Sequence, residues 1–430
     1  MTEQEENAGA LSDIRVIDLA GPIGLYCAKQ LAELGADVIK VERPGGDRTR
    51  NIGPFYHDEP HPEKSLHFFH FNANKRSITL NLETTQGREI LKRLVKTADI
   101  MVETFPPGYL QQMGLGYEEL RKINPGLILT SITGFGQSGP FKDYKAADIV
   151  GVAMGGLMWL AGFPEQPPNY AGGYQGYNLA SINSTMSALM ALHYRDITGE
   201  GQHVDVSMQE AVVTSTELGV IAYATRKIIR KRTGRQVYRG WNEVFPCKDG
   251  YIMCSPFGAA GWKQMLEWAD SEGMAADLKD ERYQDLLDIM SDVQMDRQVS
   301  GPRRDPKALA GRDAEISHVE QVWEDFLLTH TREELYRKCQ SMGIRLMPIY
   351  SAADQLQDPQ LTAREWFIPV AHPELGHVLT YAGPPYRLSR TPWQIRKRAP
   401  LVGEHNLEIY KEELGFSVEE LLTLKQQGVI

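Results

Sequence analysis

The chain has 430 residues, a formal net charge of −10 at pH 7, 42% hydrophobic residues and 24% charged residues. This length predicts two or three hydrophobic cores, and this composition excludes an intrinsically disordered chain. The negative net charge gives no general attraction to nucleic acid or to anionic membranes, so an anionic ligand would need a local cluster of basic residues.

The amino-terminal stretch MTEQEENAGALSD lacks the basic and apolar regions of a signal peptide, and no apolar run in the chain reaches membrane-spanning length. The four cysteines are far apart and form no CxxC pair, which favours reduced, structural thiols. They are Cys27, Cys247, Cys254 and Cys339. We therefore expect a cytoplasmic protein.

The first third of the chain alternates short β-branched runs with helical patterns, which predicts a parallel, Rossmann-like sheet flanked by helices. Strands are expected at 14–18, 36–42, 98–103 and 127–132, and helices at 28–35 and 84–98. A further helix is expected from about Asn178, its N-cap, to Arg195, with its larger apolar side chains on the packed face. A strand and a long apolar helix, expected to be buried, follow it.

Composition also suggests where domains divide. We predict a large domain beginning at 10–205, a linker helix and basic linker at 206–240, a small α/β domain at 241–335, and a segment at 336–430 that returns to the large domain. The stretch RKIIRKRTGRQVYRG is rich in lysine and arginine. It suits either phosphate binding or a solvated interdomain linker.

The loop AGPIGLYCAKQ joins the first strand to the first helix and carries Gly21 and Gly24. Backbone amides at a helix start favour phosphate, although a tight turn of structural purpose explains the glycines equally well. The loop is not GxGxxG, which argues against a dinucleotide oxidoreductase even though Glu42 lies about where a ribose-binding acid is expected.

Basic residues follow two of the expected strands. Arg43, Arg48 and Arg50 come after the second strand, and Lys75 and Arg76 lie in NANKRS. Arginine at the carboxyl edge of such a sheet can pair with phosphate and stack on adenine. Salt-bridged surface loops are the alternative interpretation.

Two glycine-rich turns, ETFPPGYLQQMG and TGFGQSGP, end neighbouring strands at this same edge and favour a ligand crevice there.

A histidine cluster precedes these turns in the sequence, at His57, His61, His67 and His70. Prolines interrupt its spacing and no cysteine joins it, so packed aromatic residues are expected there rather than a metal site.

Candidate catalytic groups are few. No GxSxG occurs, and no serine or cysteine has a triad-like context. Asp148 is a carboxylate in an otherwise apolar segment, so burial would raise its pKa and suit it to acid or base catalysis. A helix-starting aspartate explains the same residue equally well.

Five stretches carry a family resemblance. They are IDLAGPIGLYCAKQLAELGADVIKVERPGGD, NANKRSITLNL, ADIMVETFPPGYLQQMGLGYEEL, TGEGQHVDVSMQEA and APLVGEHNLEIYKEELGFSVEELLTLKQQGVI. From about residue 11 to residue 430 the chain resembles the class III CoA-transferases, a family that also contains the α-methylacyl-CoA racemases. The resemblance implies an α/β fold with a Rossmann-like large domain built from both chain ends, a small central domain, and two chains interlocked like links.

The resemblance also implies a site for CoA. Its expected contacts are Arg43, Thr104, Phe105, Met113 and Lys145, with Gly24, Lys75 and Arg76 as weaker candidates. Gln112 replaces an arginine that contacts CoA in one branch of the family. CoA or an acyl-CoA is the implied substrate, with no metal, flavin or NAD.

In the transferases of this family one aspartate is the nucleophile. It lies twenty-nine residues after the position of Asp148 and twenty-one before that of Thr198, and both counts lead to Tyr177. A phenol cannot replace the carboxylate, since it is protonated at neutral pH and its ester is less activated than an anhydride. The racemases need a histidine where this chain has Ala147, so racemase activity is disfavoured as well.

Within the family, the chain is most similar to the aspartate-lacking subunit of the heteromeric transferase that moves CoA from succinyl-CoA to (R)-benzylsuccinate. The similarity implies a non-catalytic subunit, interlocked with a homologous partner that bears the aspartate and acting on an aromatic dicarboxylic acid. The alternatives are an active homodimeric CoA-transferase or acyl-CoA isomerase that uses Asp148, and a CoA-binding scaffold or sensor.

Overall fold

The computed structural model describes residues 9–234, 236–238, 242–254, 258–291 and 311–430. They form two compact units. The large unit lies within Met1–Leu157, Ala171–Ser215 and Pro359–Ile430, and the small unit within Met158–Tyr170 and Thr216–Asp358. Each unit has a sheet and a hydrophobic core of its own.

The strands are β1 Arg15–Leu19, β2 Asp37–Glu42, β3 Arg76–Thr79, β4 Ile100–Glu103, β5 Ile128–Thr133, β6 His203–Ser207, β7 Gln236–Tyr238, β8 Asn242–Cys247, β9 Gly250–Cys254, β10 Leu346–Pro348, β11 Phe367–His372 and β12 His377–Ala382. The α-helices are α1 Leu25–Glu33, α2 Leu66–Asn72, α3 Thr85–Val95, α4 Tyr109–Gln112, α5 Tyr117–Ile123, α6 Asp148–Met154, α7 Leu157–Leu160, α8 Gln175–Thr198, α9 Met208–Thr214, α10 Glu217–Arg226, α11 Gly258–Ser271, α12 Glu281–Ser291, α13 Asp313–Leu328, α14 Arg332–Ser341, α15 Ala352–Leu356, α16 Pro359–Ala363 and α17 Val418–Gln426. A π-helical segment covers Leu407–Glu413, and short 3-10 turns cover Arg48–Asn51 and Tyr56–Asp58.

The sheet of the large unit has the order β3-β2-β1-β4-β5-β6, and every neighbouring pair in it is parallel. Strand order reverses between β1 and β4, which is where open α/β sheets bind ligands. The α/β fold and the parallel, Rossmann-like sheet are confirmed. Each of the four strands predicted in the first third is found within two residues of its expected start.

The carboxyl-terminal segment packs onto this sheet. Tyr410 is fully buried, and its hydroxyl donates to the carbonyl oxygen of Thr79 at the end of β3 over 2.7 Å. The backbone N–H of Asn81 donates to the carbonyl oxygen of Val429 over 2.7 Å. Both ends of the chain therefore build the core of the large unit, where Ile409, Leu421 and Leu424 join the helices beside the sheet.

The small unit has an antiparallel sheet in the order β10-β9-β8-β7, with its core between this sheet and its helices. Trp262 and Trp323 meet edge to face in that core, with ring centroids 4.9 Å apart. Part of the predicted basic linker at 226–240 and part of the predicted small domain at 241–335 lie outside the described residues.

Helix α8 differs from its prediction. It begins at Gln175, because Tyr174 takes a left-handed conformation (φ 54°) and forms its N-cap. Asn178 therefore lies inside the first turn, where its side-chain amide donates to the carbonyl oxygen of Gly173 over 3.0 Å. The expectation that Asn178 is the N-cap was wrong.

The packed face of α8 also differs. Small side chains are buried along it, at Ala180, Ser181, Ser184, Thr185, Ala188 and Ala191, while Ile182, Met186 and Met190 are exposed. The reason is the close approach of α1: the hydroxyl of Thr185 donates to Oε1 of Gln30 over 2.6 Å, which leaves no room for larger side chains.

The long apolar helix predicted after β6 is two helices. Helix α9 ends at Thr214 and α10 begins at Glu217. Helix α10 is mostly exposed, with Leu218, Val220, Ile221 and Tyr223 open to solvent in this chain, so the expectation of a buried helix was wrong. Composition alone could not separate an apolar face covered by the same chain from one left uncovered.

Candidate functional site

A crevice of about 340 Å³ opens at the carboxyl ends of β1 to β4, across the point where strand order reverses. Its lining includes Gly21 and Pro22 after β1, Arg43 and Arg48 after β2, and Asn81, Leu82 and Glu83 after β3. Thr104, Phe105 and Tyr109 complete it after β4. The glycine-rich loop, the first arginines and the first of the two predicted turns are thus brought together at this edge.

A hydrogen bond joins the loop after β1 to the loop after β4. The backbone N–H of Gly21 donates to Oγ1 of Thr104 over 2.7 Å. A Cβ on Gly24 would lie only 2.8 Å from Cγ2 of Thr104, so a glycine is required there for close packing of α1 against β4. Gly24 does not line the crevice in this structure. Its glycine therefore has a packing reason that is independent of any phosphate.

The three arginines after β2 divide into two kinds. Arg50 is fully buried and holds Glu42 through two hydrogen bonds, Nε to Oε2 over 2.6 Å and Nη2 to Oε1 over 2.8 Å. Arg43 and Arg48 are exposed in the crevice, and neither forms a salt bridge with another described residue. These two guanidinium groups are available to an anionic ligand.

Glu42 lies in the position suggested for a ribose-binding acid, but its carboxylate is hydrogen-bonded to groups of the protein itself. Besides Arg50 it accepts from the backbone N–H of Asp47 over 2.8 Å and from the hydroxyl of Ser77 over 2.6 Å. Both carboxylate oxygens of Glu42 are bonded to residues of the turn after β2 or of β3. Glu42 therefore holds in place the turn that carries Arg43 and Arg48.

An aromatic pair forms one wall of the crevice. The rings of Phe105 and Tyr109 stack with centroids 4.9 Å apart and planes 28° apart, and the hydroxyl of Tyr109 donates to Oε1 of Glu83 over 2.6 Å. Guanidinium groups beside aromatic rings suit a ligand that carries both phosphate and a planar base. Sequence reasoning missed Tyr109 and Glu83, although Tyr109 lies in the turn ETFPPGYLQQMG that was predicted at this edge.

The position that the resemblance assigns to the nucleophile, which we call the reaction position, lies where α6 and α8 begin. Asp148 is the first residue of α6 and is 4% exposed. Its Oδ1 accepts a hydrogen bond from the backbone N–H of Tyr177, in the first turn of α8, over 2.8 Å. A Cβ on Gly176 would lie 3.2 Å from this oxygen, so a glycine allows the approach. Asp148 thus satisfies an N–H that the helix itself leaves without a partner.

Tyr177 is half-buried, and burial raises the pKa of its phenol above the ordinary value, with the neighbouring Asp148 carboxylate acting in the same direction. The phenol is therefore neutral at physiological pH. The ring of Tyr177 lies parallel to that of Tyr174, with centroids 5.9 Å and planes 5° apart. The group at this position is an aromatic surface rather than a nucleophile.

One turn further along α8, the helix contacts the loop that walls the crevice. The hydroxyl of Ser181 donates to the carbonyl oxygen of Ile23 over 2.9 Å. Residues 177 and 181 lie on the same side of a helix. The Tyr177 turn is therefore next to the loop whose other residues, Gly21 and Pro22, line the crevice.

The remaining expected CoA contacts are not all in the crevice. Met113 packs against the core of the large unit, and Lys145 is exposed in the loop before α6. Lys75 is buried and donates to Asp18 over 2.8 Å and to Asn72 over 2.9 Å. Arg76 pairs with Asp37, Glu408 and Glu413. Because Lys75 and Arg76 have these partners, we leave them out of the CoA site proposed below.

The histidine cluster packs among aromatic rings. His57 stacks edge to face on Tyr56 at 4.0 Å, and His67 and His70 lie against Phe71. Among the described residues, no group of three or more histidine, cysteine, aspartate or glutamate side chains is arranged to hold a metal ion. All four cysteines are free and buried, and burial raises the pKa of Cys27 to about 12. No helix among the described residues is long and apolar enough to cross a membrane.

A family model for CoA-transferase family III matches residues 11–406. The chain belongs to CoA-transferase family III. The resemblance seen in the sequence is thereby confirmed, and the crevice at the strand reversal acquires a candidate ligand, since family members take CoA thioesters as substrates.

Two relatives in this family match nearly the whole chain. Succinyl-CoA:(R)-benzylsuccinate CoA-transferase subunit BbsE of Thauera aromatica is 33% identical over 97% of this chain and 98% of that protein. Succinyl-CoA--D-citramalate CoA-transferase of Chloroflexus aurantiacus is 34% identical over 98% of each. The relatives support CoA-transferase activity.

The fold comparison agrees with the family. A crystal structure of a CAIB/BAIF family protein from Brucella suis matches with a TM-score of 0.78 and 29% identity, covering 94% of this chain and 100% of that chain. The six-stranded parallel sheet that carries the crevice thus belongs to a fold already seen in solved structures.

Proposed function

We propose that this chain is the non-catalytic subunit of a heteromeric CoA-transferase that moves CoA from succinyl-CoA to an aromatic dicarboxylic acid such as benzylsuccinate. The observation that carries the proposal is Tyr177 at the reaction position of an otherwise family-like frame. Its phenol has a raised pKa, and its backbone N–H donates to the buried carboxylate of Asp148.

The chemistry needs a carboxylate. In the proposed partner, an aspartate attacks the carbonyl carbon of succinyl-CoA and forms a mixed anhydride as the CoA thiolate leaves. The thiolate then attacks the enzyme's acyl carbon, which releases succinate and leaves an enzyme-bound CoA thioester. The acceptor carboxylate repeats the two steps in the reverse sense and leaves as its CoA thioester, which restores the aspartate.

Tyr177 cannot take that role. A neutral phenol is a poor nucleophile, and the aryl ester it would form is less activated than an anhydride. We therefore assign this chain roles that need no nucleophile: binding CoA through Arg43 and Arg48, with Thr104 and Phe105 at the crevice wall and Met113 and Lys145 as further contacts, and completing the interface with its partner.

Exposed apolar helix faces support a partner chain. In the large unit, Ile182, Met186 and Met190 form one exposed stripe on α8. In the small unit, Leu218 and Ile221 are exposed on α10. Contiguous apolar surface of this kind marks protein interfaces. We propose that a homologous, aspartate-bearing chain covers these faces in the interlocked arrangement, with the domain layout predicted from the sequence.

The proposal that the acceptor is aromatic rests on one relative, a subunit of an enzyme named for benzylsuccinate. The second relative acts on an aliphatic acid, citramalate. Co-expression with an aspartate-bearing homologue from the same genome, followed by assay of succinyl-CoA with each acid, tests the proposal directly. We expect turnover by the pair, none by this chain alone, and loss of turnover when the partner's aspartate is changed to asparagine.

A second candidate, an active homodimer that uses Asp148, is favoured by the burial of that carboxylate beside the reaction position. Turnover by this chain alone that disappears in Asp148→Asn would establish it and overturn our proposal. CoA binding without turnover and without any co-purifying transferase chain would instead support a scaffold or sensor.

A further inference from the structure

A second cavity of the large unit lies beside the first turn of α8 and has a volume of about 490 Å³. Helix α1, helix α2 and the segment after β12 enclose it. Six of the residues that line it have aromatic side chains: Tyr26, His70, Phe71, Trp366, Tyr386 and Trp393. We call it the aromatic cavity. It shares no lining residue with the crevice described above.

The charged groups of the aromatic cavity neutralise each other. Lys29 and Glu33, one turn apart on α1, form an ion pair and are 3% and 1% exposed. The Lys29 ammonium also lies 5.9 Å from the ring centroid of Trp393. Burial lowers the pKa of His70 to about 3, so this imidazole is neutral. A cavity with aromatic walls, whose buried ammonium and carboxylate already pair with each other, suits an uncharged aromatic group better than a phosphate.

The aromatic cavity is joined to the reaction position. Gln175 and Asn178 line it, and these residues flank Tyr177 in the first turn of α8. A row of aromatic contacts runs the same way: Tyr177 stacks on Tyr174, Tyr174 meets His67 at 6.0 Å, and His67 meets Phe71 at 4.8 Å. A ligand with its ring in the cavity would direct its polar end towards the Tyr177 turn.

We propose that the aromatic cavity binds the aromatic ring of a small aryl-substituted acid, which this chain holds without converting it. The volume is in the range of small-molecule sites, which use apolar walls and a few polar groups for orientation. Since Tyr177 is no nucleophile, a bound acid would not react here. The inference concerns binding alone and goes beyond the proposed transferase function.

The test is calorimetric titration of the full-length chain, in the assembly in which it is purified, with benzylsuccinate and with methylsuccinate, which lacks the ring. Succinyl-CoA is omitted, so no turnover occurs. We expect benzylsuccinate to bind at least about ten-fold more tightly, because one aromatic contact contributes a factor of roughly 2 to 10 and the cavity offers several.

Four variants locate the binding. Tyr386→Leu removes an exposed wall ring and should weaken benzylsuccinate binding about 3- to 10-fold, whereas Tyr386→Phe keeps the ring and should bind as before. Tyr251→Leu, at an exposed tyrosine of the small unit, is the control and should change nothing. Quenching of tryptophan fluorescence on binding should decrease in Trp393→Phe.

Equal affinity for the two acids, or unchanged benzylsuccinate affinity in Tyr386→Leu, would overturn the inference. Neither result would bear on the transferase proposal, which is tested by turnover with succinyl-CoA. Conversely, selective binding of the aryl acid by an assembly that contains the aspartate-bearing partner and still shows no turnover with succinyl-CoA would support the cavity and refute the transferase proposal.

Discussion

The backbone N–H of Tyr177 donates a 2.8 Å hydrogen bond to Oδ1 of Asp148, so the two positions that family chemistry makes important are in direct contact in this chain. The contact runs through the backbone of residue 177, and it would persist whatever side chain stood there. Asp148 therefore has a structural role that is separate from catalysis. It anchors the start of α8 through the backbone of residue 177.

Replacing Tyr177 by aspartate should not restore full activity. The new carboxylate would lie next to buried Asp148, and like charges this close raise each other's pKa and repel. It would also leave Tyr174 without its stacking partner. We expect turnover of succinyl-CoA by the Tyr177→Asp chain alone to stay at least about ten-fold below that of the aspartate-bearing partner, because small misplacements are costly in catalysis.

The matched control is Tyr177→Phe, which keeps the ring and should leave the activity of the heteromer unchanged. Turnover by Tyr177→Asp equal to that of the partner subunit would show that the pocket around residue 177 is still adapted to a nucleophile.

Asp148→Ala should destabilise the chain by about 1–3 kcal/mol, because the part-buried N–H of Tyr177 loses its carboxylate acceptor. Asp148→Asn retains an acceptor oxygen and should cost less. The measurement is urea unfolding of each variant beside Asp143→Ala, an exposed aspartate whose loss should change stability by less than about 0.5 kcal/mol. Equal stability of Asp148→Ala and the unsubstituted chain would refute the capping role.

Arg43→Gln should weaken CoA binding about 5- to 20-fold, because an exposed guanidinium of the crevice loses its charge-assisted contact with phosphate. The resemblance assigns this residue to the adenine and the 3′-phosphate of CoA, so the substitution should weaken the binding of dephospho-CoA less than that of CoA. Calorimetry with both ligands measures this. An equal loss with dephospho-CoA would mean that Arg43 does not contact the 3′-phosphate.

Arg50→Met should behave in the opposite way, with a loss of folding stability of about 3–5 kcal/mol, because it leaves Glu42 buried without its cation. Chemical denaturation of the Arg50→Met and Arg43→Gln chains side by side separates the two kinds of arginine. We expect Arg43→Gln to unfold at the same denaturant concentration as the unsubstituted chain; if the two variants were equally unstable, the division between framework and ligand arginines would be wrong.

Local pattern was sufficient to predict the first strands, because alternation is carried by neighbouring residues, whereas Tyr177 was singled out by the family resemblance. Local pattern was insufficient wherever a partner lies far along the chain. Arg76 pairs with Glu408 and Glu413, more than 300 residues away, and Lys75 with Asp18 on another strand. The start of α8 was missed because it depends on the left-handed conformation of Tyr174. Tyrosine rarely adopts this conformation, so the residue type does not predict it.

Glu103 provides a pH-dependent test at the crevice edge. Burial raises the pKa of its carboxyl from 4.5 to about 7, although the hydroxyl of Ser131 and the backbone N–H of Phe105 oppose this. Between these two values the folded chain keeps a proton that the unfolded chain has lost, so stability falls as pH rises. Glu103→Gln mimics the protonated form and lacks this contribution.

The free energy of unfolding of Glu103→Gln, minus that of the unsubstituted chain, should therefore increase from pH 5 to pH 8, by at most about 3 kcal/mol, and be level below pH 4.5. Glu33 also has a pKa raised by burial to about 7, but it titrates in both proteins and cancels from the difference. Urea denaturation at half-unit pH steps measures the curve. A difference that is constant with pH would mean that Glu103 is ionised in the folded chain, with water or a cation at the crevice edge compensating its charge.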